Sequence, residues 1–138
     1  MSKSTKLITA AAILSFIARR SPERVTTNEI AAAVKDHPTR VRQIVAALVK
    51  SGLINATRGA SGGVVLSRPP AEIDLHQVYE AVEDPPLLAI GVKGNGGSGN
   101  ELQEKFEAIY ASLEEKILRD LSSYSLAYLL VGDSPGRK

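Results

Sequence analysis

The 138-residue chain has no cysteine. That absence excludes disulfides, zinc fingers and thiolate-held clusters, and thiol redox sensing goes with them. Histidine is nearly absent too, with only His37 and His76. No long hydrophobic run is present. The longest, Leu7 to Ala18, falls short of the roughly 20 apolar residues that a membrane span needs. Lys3 and Lys6 precede it in the outline of a signal peptide, but Arg19-Arg20 follow where a small-residue cleavage site would stand. The run is therefore expected to form a first helix buried on more than one side, in a cytoplasmic protein without a membrane partner. There are no internal repeats.

The apolar fraction of 43% is ordinary for a globular chain with a packed core. The net charge of +2 hides a strong segregation. Residues 1–70 carry 11 Lys and Arg against 3 Asp and Glu, or +8; residues 71–138 carry 6 against 12, or −6. One surface is thus fitted to a polyanion and another is not.

Thr5 to Arg20 reads as the first helix, stopped by Ser21-Pro22, and Arg24-Val25-Thr26 as a short extended piece. Thr26-Thr27-Asn28-Glu29 has the Thr-x-x-Glu spacing of a capping box, opening a second helix through Ile30 and Val34 to about Lys35. After the Asp36-His37-Pro38 turn, a third helix runs to Ser51, with Gly52 as its stop. Val41, Ile44, Val45 and Leu48 form one apolar stripe on it. The opposite face holds Thr39, Gln43, Ala46 and Lys50, flanked by Arg40, Arg42 and Ala47. Leu53 to Arg58 and Val64 to Ser67 read as a hairpin around a glycine-rich turn, ended by Arg68-Pro69-Pro70. Asp74 caps a short helix whose inner face is Leu75, Val78, Tyr79 and Val82. A glycine-rich, mobile loop is expected up to Asn100, then a long helix to about Ser123, a short apolar helix from Tyr124 to Val131, and a loose tail.

Two short helices joined by a tight turn and followed by a glycine-tipped hairpin make the order of a winged helix-turn-helix. The fold expected is mainly α with a small β wing, plus a long C-terminal dimerisation helix. The divisions are 1–84 for the DNA-binding domain, 85–100 for the loop, 101–131 for the dimerisation and C-terminal helices, and 132–138 for the tail. Ala46 and Ala47 keep the third helix slim enough for a major groove. Arg40 and Arg42 are candidates for phosphate or guanine, and Gln43 for an adenine edge. Lys50 adds charge at the helix end. Arg58 and Ser61 sit on the wing, where glycines let the backbone approach the sugar–phosphate wall. Thr26 and Thr27 offer an N–H and hydroxyls to a phosphate at a helix start.

On the long helix, Leu102, Phe106, Ile109 and Leu113 follow a 4, 3, 4 spacing, which Ile117 and Leu121 extend by two more steps of four. Tyr110 and Leu118 widen the stripe. It is longer than a small winged domain covers by itself, so a homodimer contact is expected there.

From Thr27 through Val82 the chain resembles the Rrf-two family of bacterial winged-helix regulators, the IscR and NsrR group. The most specific stretches are Leu48-Val49-Lys50-Ser51-Gly52-Leu53-Ile54 and Thr57-Arg58-Gly59-Ala60-Ser61-Gly62-Gly63-Val64-Val65-Leu66. The first and the long helix fit the family by position. The resemblance implies a homodimeric repressor or activator of bacterial promoters, and repression is the expected role. Cluster-binding members place three cysteines before the long helix, but here Pro86 to Asn100 holds no cysteine or histidine. The chain therefore resembles the clusterless branch, with no cofactor or metal expected. Its partners are expected to be a palindromic double-stranded operator and a second copy of itself. Any small-molecule or protein effector is not named by the residues. Val64 stands where an aromatic residue is usual, a change expected to affect wing packing only.

Other motifs lack their context. Gly59-Ala60-Ser61-Gly62-Gly63 fits the Gly-x-Ser-x-Gly nucleophile elbow, but a strand follows it rather than a helix. Gly94 to Gly99 fits Gly-x-Gly-x-x-Gly without a following strand, so no dinucleotide fold is expected. His37 reads as a turn or cap residue, and His76 as structural, with no ligand partner expected at i+4. Glu104, Glu107, Glu114 and Glu115 read as a solvated helix face. No catalytic set converges, and an enzyme is not expected. The competing reading is a winged helix used only for protein interaction. The +8 half argues against it.

Overall fold

The reciprocal bonds of Thr26 and Glu29 start the second helix as the Thr-x-x-Glu spacing requires. Thr26 Oγ1 accepts from the Glu29 N–H at 3.1 Å, and Glu29 Oε1 accepts from the Thr26 N–H at 2.8 Å. The computed structural model describes residues 4–82 and 101–130. The expected loop at 85–100 and tail at 132–138 lie outside the described residues.

The elements are α1 (Ser4–Arg20), α2 (Thr27–Val34), α3 (Pro38–Lys50), β1 (Ile54–Thr57) and β2 (Gly63–Leu66). A 3₁₀ turn (Pro70–Glu72) leads to α4 (Leu75–Val82), α5 (Glu101–Leu121) and α6 (Leu126–Leu130). Helix α1 is the central pillar. Ala10, Ile13, Leu14 and Ile17 are fully buried, against Ile30 of α2, Val41 and Leu48 of α3, and Val78 of α4. Burial of each large aliphatic side chain contributes about 1.5–3 kcal/mol. The whole predicted stripe of α3, with Ile44 and Val45, faces this core.

Strands β1 and β2 pair antiparallel, Ile54 opposite Leu66 and Thr57 opposite Gly63. The extended piece before α2 joins them. Val25 forms an antiparallel bridge with Val64, and both side chains are buried. Thus the valine at the usual aromatic position is a core residue that also ties the wing to the lead-in of α2.

Asp74 and Gln77 form a second reciprocal cap, at 2.9 Å each way, that opens α4. The C-terminal piece returns to this point. Leu75 N–H donates to the Tyr124 carbonyl at 2.9 Å and Leu126 N–H to the Ile73 carbonyl at 2.7 Å. Leu126 is fully buried in the winged core. Tyr124 and Ser125 are taken up by this crossing, which is why α6 begins at Leu126.

Helix α5 is different. None of its 21 residues is buried, and it leans on the core through α4, where Tyr79 Oη donates to Glu114 Oε2 at 3.4 Å. Leu102, Phe106, Ile109 and Leu113 are exposed, while Tyr110, Ile117, Leu118 and Leu121 are half-buried. No helix among the described residues is long and apolar enough to cross a membrane.

Candidate nucleic-acid interface

Burying one stripe of α3 forces the other face outward. Thr39, Arg42, Gln43, Ala46 and Lys50 are exposed, and Ala47 is half-buried at the margin. The start of the helix is tightly organised. His37 caps it, its Nδ1 accepting from the Thr39 N–H at 3.2 Å, and Pro38 follows at the first helical position. Asp36 accepts from the His37 N–H at 2.6 Å through Oδ1 and from Arg40 Nη1 at 3.2 Å through Oδ2. Arg40 is thus held at the base of α3, half-buried. Arg42 and Lys50 make no ion pair among the described residues, so their charge is available to phosphates.

The wing presents Arg58 and Ser61, both exposed, and Arg58 likewise lacks an ion pair among the described residues. Two of its glycines leave no room for a side chain. A Cβ on Gly62 would strike the Thr57 carbonyl oxygen, and one on Gly63 would sit 2.7 Å from the Val25 carbonyl oxygen. Gly63 also has φ +144°, which disfavours any other residue.

At α2 the structure corrects one expectation. The Thr26 N–H is not open to a phosphate, because the Glu29 carboxylate already takes it. The Thr26 hydroxyl is also spent on Glu29, 3.4 Å from Oε1. That bond to the Thr26 backbone, helped by Arg20 at 3.8 Å, holds the Glu29 carboxyl below the usual carboxylate range despite partial desolvation. A phosphate at this helix start would meet a negative charge, and only half-buried Thr27 remains to serve it.

Three residues that matter here were not singled out from sequence. Asp36 fixes Arg40, and its i, i+4 spacing was the available signal. Val25 anchors the wing through a non-local bridge that no local pattern announces. Lys6 lines a cleft beside α3. The expectation that His76 has no partner at i+4 is overturned. Glu80 stands one turn on, its Oε2 3.1 Å from His76 Nε2, although no hydrogen bond of good geometry forms.

A family model named Rrf2 and described as an iron-dependent transcriptional regulator matches residues 3–132. The helix-turn-helix-type transcriptional regulator NsrR of Geobacillus kaustophilus is 34% identical over 114 residues, covering 78% of this chain and 74% of its own. Two solved structures share the fold. IscR of T. potens gives a TM-score of 0.70 at 22% identity, covering all of this chain and 92% of that one. CymR, the global cysteine regulator of B. subtilis, gives 0.69 at 21%, covering 97% and 99%.

For the iron of the family description, the described residues offer no gathered donor set. Cysteine is absent, the His37 Nδ1 is committed to the cap of α3, and His76 has a single carboxylate beside it. Among the described residues no three potential ligands gather. With a buried stripe, an outward cationic face, a wing and this set of relatives, the chain belongs to the Rrf2 family of helix-turn-helix transcriptional regulators and is a DNA-binding regulator, not an enzyme.

Proposed function

We propose that the protein is a sequence-specific repressor that binds a palindromic operator as a homodimer in the cytoplasm, without an iron–sulfur cluster. The observation that carries this reading is the outward face of α3. Thr39 and Gln43 are exposed beside Arg42 and Lys50, whose charges are unpaired among the described residues, and the wing adds Arg58. Gln43 reads a base edge, Arg42, Lys50 and Arg58 hold phosphates, and Ser61 supports the wing contact. Arg40 is positioned by Asp36 and contacts the first bases or phosphates at the helix start. Residues 1–84 form the DNA-binding unit, and 101–131 supply the dimer contact and the returning α6.

Recovery of bound sequences from random DNA tests the proposal. An inverted repeat, with half-sites whose centres lie about one helical turn or a multiple apart, is the expected result. Binding without any sequence preference would overturn it, and so would an asymmetric single site. Repression is read separately, by placing the recovered operator over a reporter promoter.

A further inference from the structure

A cleft of about 510 Å³ opens between the start of α1, the outer flank of α3 and the end of α4. Its volume lies in the range of small-molecule sites. Lys6, His37, Arg40 and Gln43 supply its polar wall, and Ile44 and Val82 an apolar floor. Among the described lining residues there is no carboxylate. Lys6 makes no ion pair among the described residues. Asp36 Oδ2 accepts from Arg40 Nη1 and so orients the guanidinium. Because His37 Nδ1 accepts the Thr39 N–H, the neutral ring carries its proton on Nε2 and is a donor there. The positive end of the α3 dipole lies at the same place. Cations and donors gathered over hydrocarbon select an anion that also has an apolar body.

We propose that this cleft binds a small organic carboxylate with an aromatic or branched aliphatic body, and that its occupancy excludes DNA from α3. The exclusion follows from shared residues. Arg40 and Gln43 line the cleft and also belong to the face offered to DNA, so a bound carboxylate places negative charge where a phosphate or base edge would lie. The exclusion half of this proposal rests on the DNA-binding role assigned to α3; the binding half does not. Direct competition lowers apparent DNA affinity by the factor one plus ligand concentration over its Kd, about tenfold at ten times Kd.

The test uses the full chain, ¹⁵N-labelled, titrated without DNA with benzoate, 4-methylpentanoate, benzamide and inorganic phosphate. At least one of the two carboxylates should shift the amides of Thr39, Gln43, Ile44 and Val82 saturably in the millimolar range. Benzamide and phosphate should bind at least about tenfold more weakly, as expected when a charge-assisted hydrogen bond or the apolar contact is lost. Lys6→Gln should weaken the carboxylate by a similar factor while its spectrum stays folded and its DNA affinity is kept. In a second arm, a saturating carboxylate should release the selected operator from the wild type, and Lys6→Gln should need proportionally more.

Four results would overturn the proposal. They are no saturable shift with either carboxylate, equal binding of benzamide, equal binding of phosphate (which marks a plain backbone-phosphate seat), or operator and carboxylate held together. A protein that binds no DNA under any condition would instead sink the regulator reading. The first arm would still judge the cleft.

Discussion

Val25 and Val64 exchange both backbone hydrogen bonds, Val25 N–H donating to the Val64 carbonyl at 3.2 Å and Val64 N–H to the Val25 carbonyl at 2.9 Å. The wing is therefore fastened to the segment that enters α2. Gly63 makes the approach possible, since its missing Cβ would lie 2.7 Å from the Val25 carbonyl oxygen. Gly59 has φ +106° but nothing within 4 Å of a Cβ. Gly59→Ala should cost only the dihedral strain, about 1–3 kcal/mol. Gly63→Ala should cost more and also weaken DNA binding, because the bridge must break. Thermal unfolding and DNA titration of both variants check this, and equal losses would refute the close-contact argument.

Arg58 and Gln43 should fail in different ways. Arg58→Ala should weaken operator and random DNA alike and flatten the salt dependence, whose slope is about −0.9 in log K per log salt for each phosphate neutralised. Gln43→Ala should relax one base position, at about 1–3 kcal/mol if the contact is bidentate. Operator and random DNA titrated at several salt concentrations separate the two. An unchanged affinity for both DNAs in Arg58→Ala would remove the wing from the interface.

The parts of this fold that were legible in the sequence are those with a local cause. The α3 stripe, the caps at Thr26–Glu29 and Asp74, and the glycine-tipped hairpin each follow from residues a few positions apart. The Val25–Val64 bridge and the return of Leu126 to Ile73 join distant segments, and no periodicity encodes such a pairing. The end of α5 was displaced for a smaller reason. The Ser122 and Ser123 hydroxyls donate to the Arg119 and Asp120 carbonyls at 2.7 and 2.6 Å, closing the last turn after Leu121. At the interface, residue types and their shared face were readable. The capping-box spacing itself implies that Glu29 occupies the Thr26 N–H, which removes that donor from a phosphate site.

The cap of α2 should be acid-sensitive. Hydrogen bonding to the Thr26 backbone, with Arg20 nearby, lowers the Glu29 carboxyl from its ordinary value of 4.5. A depressed folded-state value means that the contribution is present above the ordinary value and is lost as pH falls through the folded one. Glu29→Gln keeps an acceptor for the Thr26 N–H but carries no charge. Its stability deficit against the wild type should be visible at neutral pH and shrink on acidification. Thermal unfolding of both proteins through the carboxylate range checks the sign, and a gap that widens in acid would contradict it.

Protein prepared without oxygen should be colourless and bind operator with no added iron, since the chain offers no thiolate and His37 is committed to its cap. Metal analysis and visible absorption of the purified protein are the measurements. Stoichiometric iron with cluster absorption would overturn the clusterless reading.

The apolar stripe of α5 should be the dimer contact. Its upper turns, Leu102, Phe106, Ile109 and Leu113, are 64, 44, 49 and 43% exposed, whereas Ile117 and Leu121 are half-buried. A contiguous apolar face left wet on a 21-residue helix calls for a partner surface, and the Phe106–Tyr110 ring pair at 5.9 Å widens it. Pairing two such helices about a two-fold axis would set the α3 helices about one DNA turn, ~34 Å, or a multiple of it apart. Because no α5 residue is buried in the described chain, Phe106→Glu with Leu113→Glu should leave the winged core folded. The wild type should sediment as a dimer at micromolar concentration. The double variant should sediment as a monomer, keep its helical circular dichroism and retain non-specific DNA affinity, but bind the inverted repeat far more weakly. A wild type that sediments as a monomer would end this assignment, and a double variant that stays dimeric would move the contact to another face.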